Sequence, residues 1–124
     1  MTRRPFFAAF ADAADGLWHA FVAQPNFRIQ LGLAVLAVVV AALLRFDALS
    51  WGVLVLAIGF VLAAELFNTC LEHVVDLVQP DAHPLARSAK HAGAAAVLVA
   101  SIAAAVMGAI VYGQALAHLL RGHG

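Results

Sequence analysis

The chain has 124 residues, of which 65% are hydrophobic and 11% charged, with seven basic and seven acidic side chains. Soluble domains carry about 25% charged residues, and a domain this small leaves too much of its area exposed to hide so much apolar surface from water. Lipid is therefore the expected solvent; the balanced charge gives no reason to expect nucleic acid as a partner, and the single cysteine, Cys70, excludes an internal disulfide.

The opening stretch, MTRRPFFAAFADAADG, begins with two arginines but has no continuous apolar core, so a cleaved signal peptide is not expected. Over residues 5–23 the residues Phe6, Phe10, Ala14, Leu17 and Phe21 fall on one helical arc, with Phe7 and Trp18 at its edge. Asp12, Asp15 and His19 fall opposite. This pattern predicts an amphipathic helix lying in the headgroup region. Three apolar stretches follow, 27–45, 51–78 and 92–120, each long enough for a bilayer crossing of about 20 residues. The short turn RFDALS makes the first two spans antiparallel neighbours. The segment QPDAHPLARSAK, with two prolines, reads as a loop that can turn helical after Pro84. The expected architecture is all-α: one membrane domain of three transmembrane helices preceded by an interfacial helix.

Arg3, Arg4, Arg28, Arg87 and Lys90 lie on one side of this topology, and Arg45 and Arg121 on the other. The positive-inside rule then places the N-terminus and second loop in the cytoplasm and the C-terminus outside. In the third span, Ala92, Ala96, Ala100, Ala104 and Gly108 repeat every four residues, a ridge that would let helix backbones approach closely.

The second span departs from the rest. Its stretch AAELFNTCLEHVVDL carries Glu65, Asn68, Glu72 and Asp76 at spacings of 3, 4 and 4. On a helix these four share one face within about 80° and form a stripe about 16 Å long. Glu65 lies about 20 Å along a helix begun at Trp51. An ionisable group inside a span costs at least about 2.5–3.5 kcal/mol, so an idle role is improbable for Glu65. Asp76 and Glu72 can also be read as markers of the helix end, and Glu65 and Asn68 as glue between helices. Functionally, one carboxylate of such a cleft can hold Mg²⁺, which prefers oxygen ligands, and another can accept a proton from a hydroxyl. Lys90 could neutralise phosphate charge nearby, a combination that suits phosphoryl transfer. Spacing alone equally allows a proton or ion pathway. Cys70 points about 140° away from Glu65 and reads as a packing residue, and His73 as a headgroup-level polar residue. His118 and His123, five apart, fall on different helix faces, unlike a metal-binding pair. Trp18 and Trp51 suit membrane interfaces.

The segment ELFNTCLEHVVDLVQPDAHPLARSAKHAGAAAVL, Glu65 to Leu98, resembles the signature region of the small prokaryotic diacylglycerol kinase and undecaprenol kinase family. Its pattern is Glu-x-x-Asn-(Thr/Ser)-x-x-Glu-x-x-x-Asp, then a loop histidine, then Ala-Lys-Asp. NFRIQ, Asn26 to Gln30, resembles the segment that opens the family's first span. The resemblance implies a homotrimer with shared active sites in the bacterial cytoplasmic (inner) membrane, transferring the γ-phosphoryl of MgATP to a lipid alcohol. It implies Glu65 as general base, Asn68 as the residue orienting the reacting groups, and Glu72 as a metal ligand. Asp76, Asp81 and His83 would line the nucleotide side, with Lys90 on the phosphates. Two positions depart from the family: His91 stands where aspartate is usual, and Gln24 where some members place a second metal-binding glutamate. Both replacements remove a carboxylate, and a neutral amide is a poorer Mg²⁺ ligand. The rival to an active kinase is a catalytically degenerate relative or a small ion-conducting bundle.

Overall fold

The computed structural model describes residues 5–122; Arg3, Arg4 and His123 lie outside them. Four helices follow in chain order: α1 (Phe6–Ala23), α2 (Pro25–Leu43), α3 (Ala48–Val78) and α4 (Pro84–Arg121). Among the described residues there is no strand. The last three helices are each long and apolar enough to cross a membrane.

The junctions follow from local chemistry. Pro25 occupies the first turn of α2, where its missing N–H is no loss. The Arg28 guanidinium reaches back to donate to the Phe21 and Val22 carbonyls at 3.1 and 2.8 Å. It thereby satisfies acceptors that the end of α1 would leave orphaned, and clamps α1 to the start of α2. At the other end of α2, Arg45 N–H donates to Ala42 O and Phe46 N–H to Ala41 O, both at 3.1 Å. This is a Schellman closure, and its left-handed position (φ 54°) is occupied by Arg45 instead of the usual glycine. Asp47 then caps α3 by accepting from Ser50 N–H at 2.7 Å, a bond that holds its carboxyl below the ordinary carboxylate range.

The turn delivers Phe46 into a small cluster with Ala41, Leu54 and Val111. The Tyr112 hydroxyl donates to the Ala37 carbonyl in α2, and its ring packs on Phe46 with centroids 4.7 Å apart. This knot joins α2, α3 and α4 at the end of the bundle remote from the acidic stripe. Elsewhere α3 and α4 pack most extensively, while α2 leans on α3. The ridge of α4 facing α3 runs through Gly93, Val97, Ala100, Ala104 and Gly108, whereas Ala92 and Ala96 turn outward. The expected four-residue ridge is thus half right. Over this length a 3.6-residue turn drifts off a strict four-residue row, so the seam passes through Gly93 and Val97 instead.

The chain exposes 9149 Å², against about 6,300 Å² for a compact soluble protein of this mass. Leu56, Phe60 and Phe67 on α3 are among the large apolar side chains left uncovered, the outward-facing surface a lipid-facing helix needs. On α1, Phe6, Phe7, Phe10 and Trp18 are exposed while Ala20 is buried. His19, on the polar side, meets His73 of α3 with ring centroids 5.7 Å apart. Cys70 is exposed, away from the stripe.

Candidate active site

The stripe lies on the α4-facing side of α3. Glu65 is 4% exposed, Asn68 and Glu72 are half-buried, and Asp76 is exposed, so the four residues grade from an apolar interior to water. At 1.5 Å per residue α3 is about 46 Å long, longer than the roughly 30 Å hydrocarbon core. Its last turns therefore have room to emerge at headgroup level.

Glu65 accepts a hydrogen bond through one carboxylate oxygen from Gln30 Nε2 of α2 at 3.1 Å. The only polar side chain between Arg28 and Arg45 is Gln30, and it faces the only acid deep in α3. One turn on, Asn68 turns its Nδ2 toward Glu72 Oε1 at 3.5 Å. Its Oδ1 is buried without a donor, as is Gln30 Oε1. Such bare acceptors cost about 1–3 kcal/mol each, and both lie beside the acidic face. Thr69, one turn beyond Glu65, is also buried.

Gly93 allows α4 to come this close. A Cβ built there would run into Asn68 Oδ1 and would stand 2.9 Å from Leu71 Cδ2. One turn earlier, Lys90 pairs with Asp76, so α4 delivers a cation to the open end of the stripe. The pair is partly exposed and adds little to stability. Its significance is that the first turns of α4, residues 84–91, are helix and so fix where Lys90 stands.

The remaining sequence candidates spread along this end of the bundle. His83 Nδ1 accepts from Leu85 N–H at 3.2 Å, capping α4. The Asp81 carbonyl lies 3.5 Å from Gln79 Nε2. His91 is exposed on α4. Gln24 sits at the corner between α1 and α2, where its backbone N–H bonds Ala20 O. Among the described residues no three His, Cys, Asp or Glu side chains converge tightly enough to hold a metal unaided. Glu65, Asn68, Glu72, Asp76 and Lys90 are brought to one seam; the hydrogen bonds of Asp81 and His83 are local to residues 79–85, and His91 is exposed. From sequence alone, Gln30 and Gly93 carry no assigned role. A lone amide in an apolar span was the signal for the first, whereas for Gly93 the alanine-rich surroundings gave none.

An apolar cleft of about 510 Å³ runs between α2 and α4 over α3, with Gln30 and Asn26 toward one end and Tyr112 toward the other. The arrangement is thus an acid held in an apolar interior, bonded to a glutamine that lines an apolar groove. Oxygen ligands and an amine lie progressively nearer to water.

Residues 11–112 match the prokaryotic diacylglycerol kinase family. The undecaprenol kinase of Bacillus subtilis (strain 168) is 33% identical over 107 residues, covering 86% of this chain and 87% of that enzyme. The diacylglycerol kinase of Synechocystis sp. is 44% identical over 101 residues, 81% of this chain and 58% of that enzyme. That of Escherichia coli (strain K12) is 40% identical over 92 residues, 73% and 75%. The chain therefore belongs to the prokaryotic diacylglycerol kinase family, a family of membrane lipid kinases.

Proposed function

We propose that this lipid kinase transfers the γ-phosphoryl group of ATP to the hydroxyl of a membrane lipid alcohol, diacylglycerol or undecaprenol, at the cytoplasmic interface. The observation that carries this reading is a buried carboxylate, Glu65, in line with Asn68 and Glu72, with Lys90 at the open end of that line.

In this reading Glu65 is the general base. Gln30 engages one of its oxygens, and the other takes the lipid hydroxyl's proton as the hydroxyl oxygen attacks the γ-phosphorus and ADP departs. Asn68 orients the reacting groups between base and phosphate. Lys90 exchanges Asp76 for the phosphates, while Asp76, Asp81, His83 and His91 border the nucleotide.

The oxygen donors on this face suit Mg²⁺. Glu72 supplies a carboxylate, and Asn68, whose Nδ2 lies 3.5 Å from Glu72 Oε1, carries a buried, donorless Oδ1 on the Gly93 side. Glu72 would hold the ion, with Gln24 as a weaker second ligand, and Mg²⁺ takes few protein ligands when phosphates complete its shell. When bound it neutralises charge on the phosphate oxygens.

The cation distribution supports a cytoplasmic N-terminus and 79–83 loop and an external C-terminus, in the bacterial cytoplasmic (inner) membrane. The resemblance to the family supports assembly as a homotrimer with shared sites.

The test is purified protein in lipid with Mg²⁺ and labelled ATP, offered diacylglycerol and undecaprenol in parallel. One of the two should become labelled, and Glu65→Gln should abolish labelling while leaving assembly and nucleotide binding intact. Failure to label either lipid beside an active relative, or full activity in Glu65→Gln, would refute the respective parts.

A further inference from the structure

Gln30 differs from an ordinary helix-joining amide in being paired at one end only. Its Nε2 donates to Glu65 at 3.1 Å, whereas its Oε1 is buried without a partner. A glutamine retained only to bind α2 to α3 would be expected to satisfy both ends, because a bare buried acceptor opposes folding. The joining is done elsewhere, by the Arg45 turn, the Phe46 cluster and the Tyr112–Ala37 bond. Gln30 also lines the α2–α4 cleft, so it links the groove to the acid it bonds. It stands 35 residues from Glu65 in sequence, so only the packing of α2 on α3 joins them.

We infer that Gln30 is the positioning residue of the base: its amide N–H fixes the carboxylate of Glu65 so that the unengaged oxygen faces the arriving hydroxyl. A carboxylate on a long side chain in apolar surroundings has several rotamers of similar energy, and one directional donor selects among them. Misplacing a reacting group by about 1 Å costs on the order of 100-fold in rate. The inference rests on Glu65 acting as the base of the kinase reading, but its central contact can be observed without turnover.

The experiment uses the full chain in lipid bilayers, with Gln30→Leu, Gln30→Met and Gln30→His beside the wild type. Infrared spectra of the Glu65 carboxyl and carboxylate bands, assigned by their absence in Glu65→Gln, read the hydrogen bond directly. The bands should shift in the Leu and Met variants and return toward the wild-type position in Gln30→His, which restores an N–H donor. With the lipid that the wild type phosphorylates, kcat should fall about 10- to 100-fold in Leu and Met, with KM for ATP and lipid unchanged within about twofold. The His variant should recover most of the loss.

Bands unmoved by Gln30→Leu would overturn the contact. Shifted bands with unaltered kcat would overturn the positioning role. Recovery of rate by Met as fully as by His would mean that Gln30 serves packing. An inactive wild type with shifted bands would count against the kinase reading and leave the contact standing.

Discussion

Substituting Gly93 with alanine tests the geometry of the seam with a single methyl group. The added Cβ would overlap Asn68 Oδ1 and stand 2.9 Å from Leu71 Cδ2, where carbon contacts prefer about 3.5–4.0 Å. Two effects on stability oppose each other. Alanine gains about 1 kcal/mol over glycine within a helix, and overpacking costs about 1–3 kcal/mol. Both atoms struck are side-chain ends that can rotate aside, which places the cost at the lower end. Net stability should therefore change by less than about 2 kcal/mol, with a small loss expected. Activity should respond far more. Asn68 can yield only by turning its amide, which also moves the Nδ2 that faces Glu72 Oε1, and a displacement of about 1 Å at a reacting site costs on the order of 100-fold. Thermal unfolding in bicelles and initial rates of phosphoryl transfer, measured on one preparation, separate the two effects. Gly59→Ala is the control, because a Cβ there meets nothing within 4 Å; it should stabilise slightly and leave the rate unchanged. A Gly93→Ala protein that is about 1 kcal/mol more stable and fully active would refute the close approach of α4 to Asn68.

Two further substitutions probe opposite ends of the bundle. Lys90→Met should leave thermal stability within about 1 kcal/mol of wild type, because its pair with Asp76 is partly exposed. It should raise KM for ATP more than tenfold; an unchanged KM would remove Lys90 from the phosphates. Arg45→Gly should raise stability by about 1 kcal/mol by relieving the left-handed backbone at φ 54°, less what glycine loses through unfolded-chain entropy. Its kinase rate should match wild type, since this turn lies at the far end of α3 from Glu72; a lower melting temperature would contradict the strain.

The stripe was readable from sequence because its physics is local. Glu65, Asn68, Glu72 and Asp76 lie within twelve residues of one helix, where 3.6-residue periodicity dictates which side chains share a face. The shortage of water in a bilayer makes each of them conspicuous. Lys90 is legible as a cation near the stripe, but its partner is not. That it reaches Asp76 depends on α4 beginning at Pro84, and so on the length of the loop between the helices. Gln30 was visible as a lone amide in an apolar span, yet its partner was not, because nothing in the register of α2 says which face of α3 it meets. Gly93 was hidden among alanines, and the choice between the Ala92–Ala96 row and the Gly93–Val97 row depends on a helix rotation of one residue.

What the sequence by itself determined is the solvent, the number of spans, the amphipathic character of α1 and the face that carries the acids. Composition and period suffice for these because they concern one helix at a time. The tertiary structure alone decided that Gln30 meets Glu65, that Gly93 seats α4 against Asn68, and that Lys90 closes the open end. These are contacts between helices. In a bundle where lipid offers little hydrophobic preference for one face over another, the fit of small and polar side chains sets the rotation of each helix.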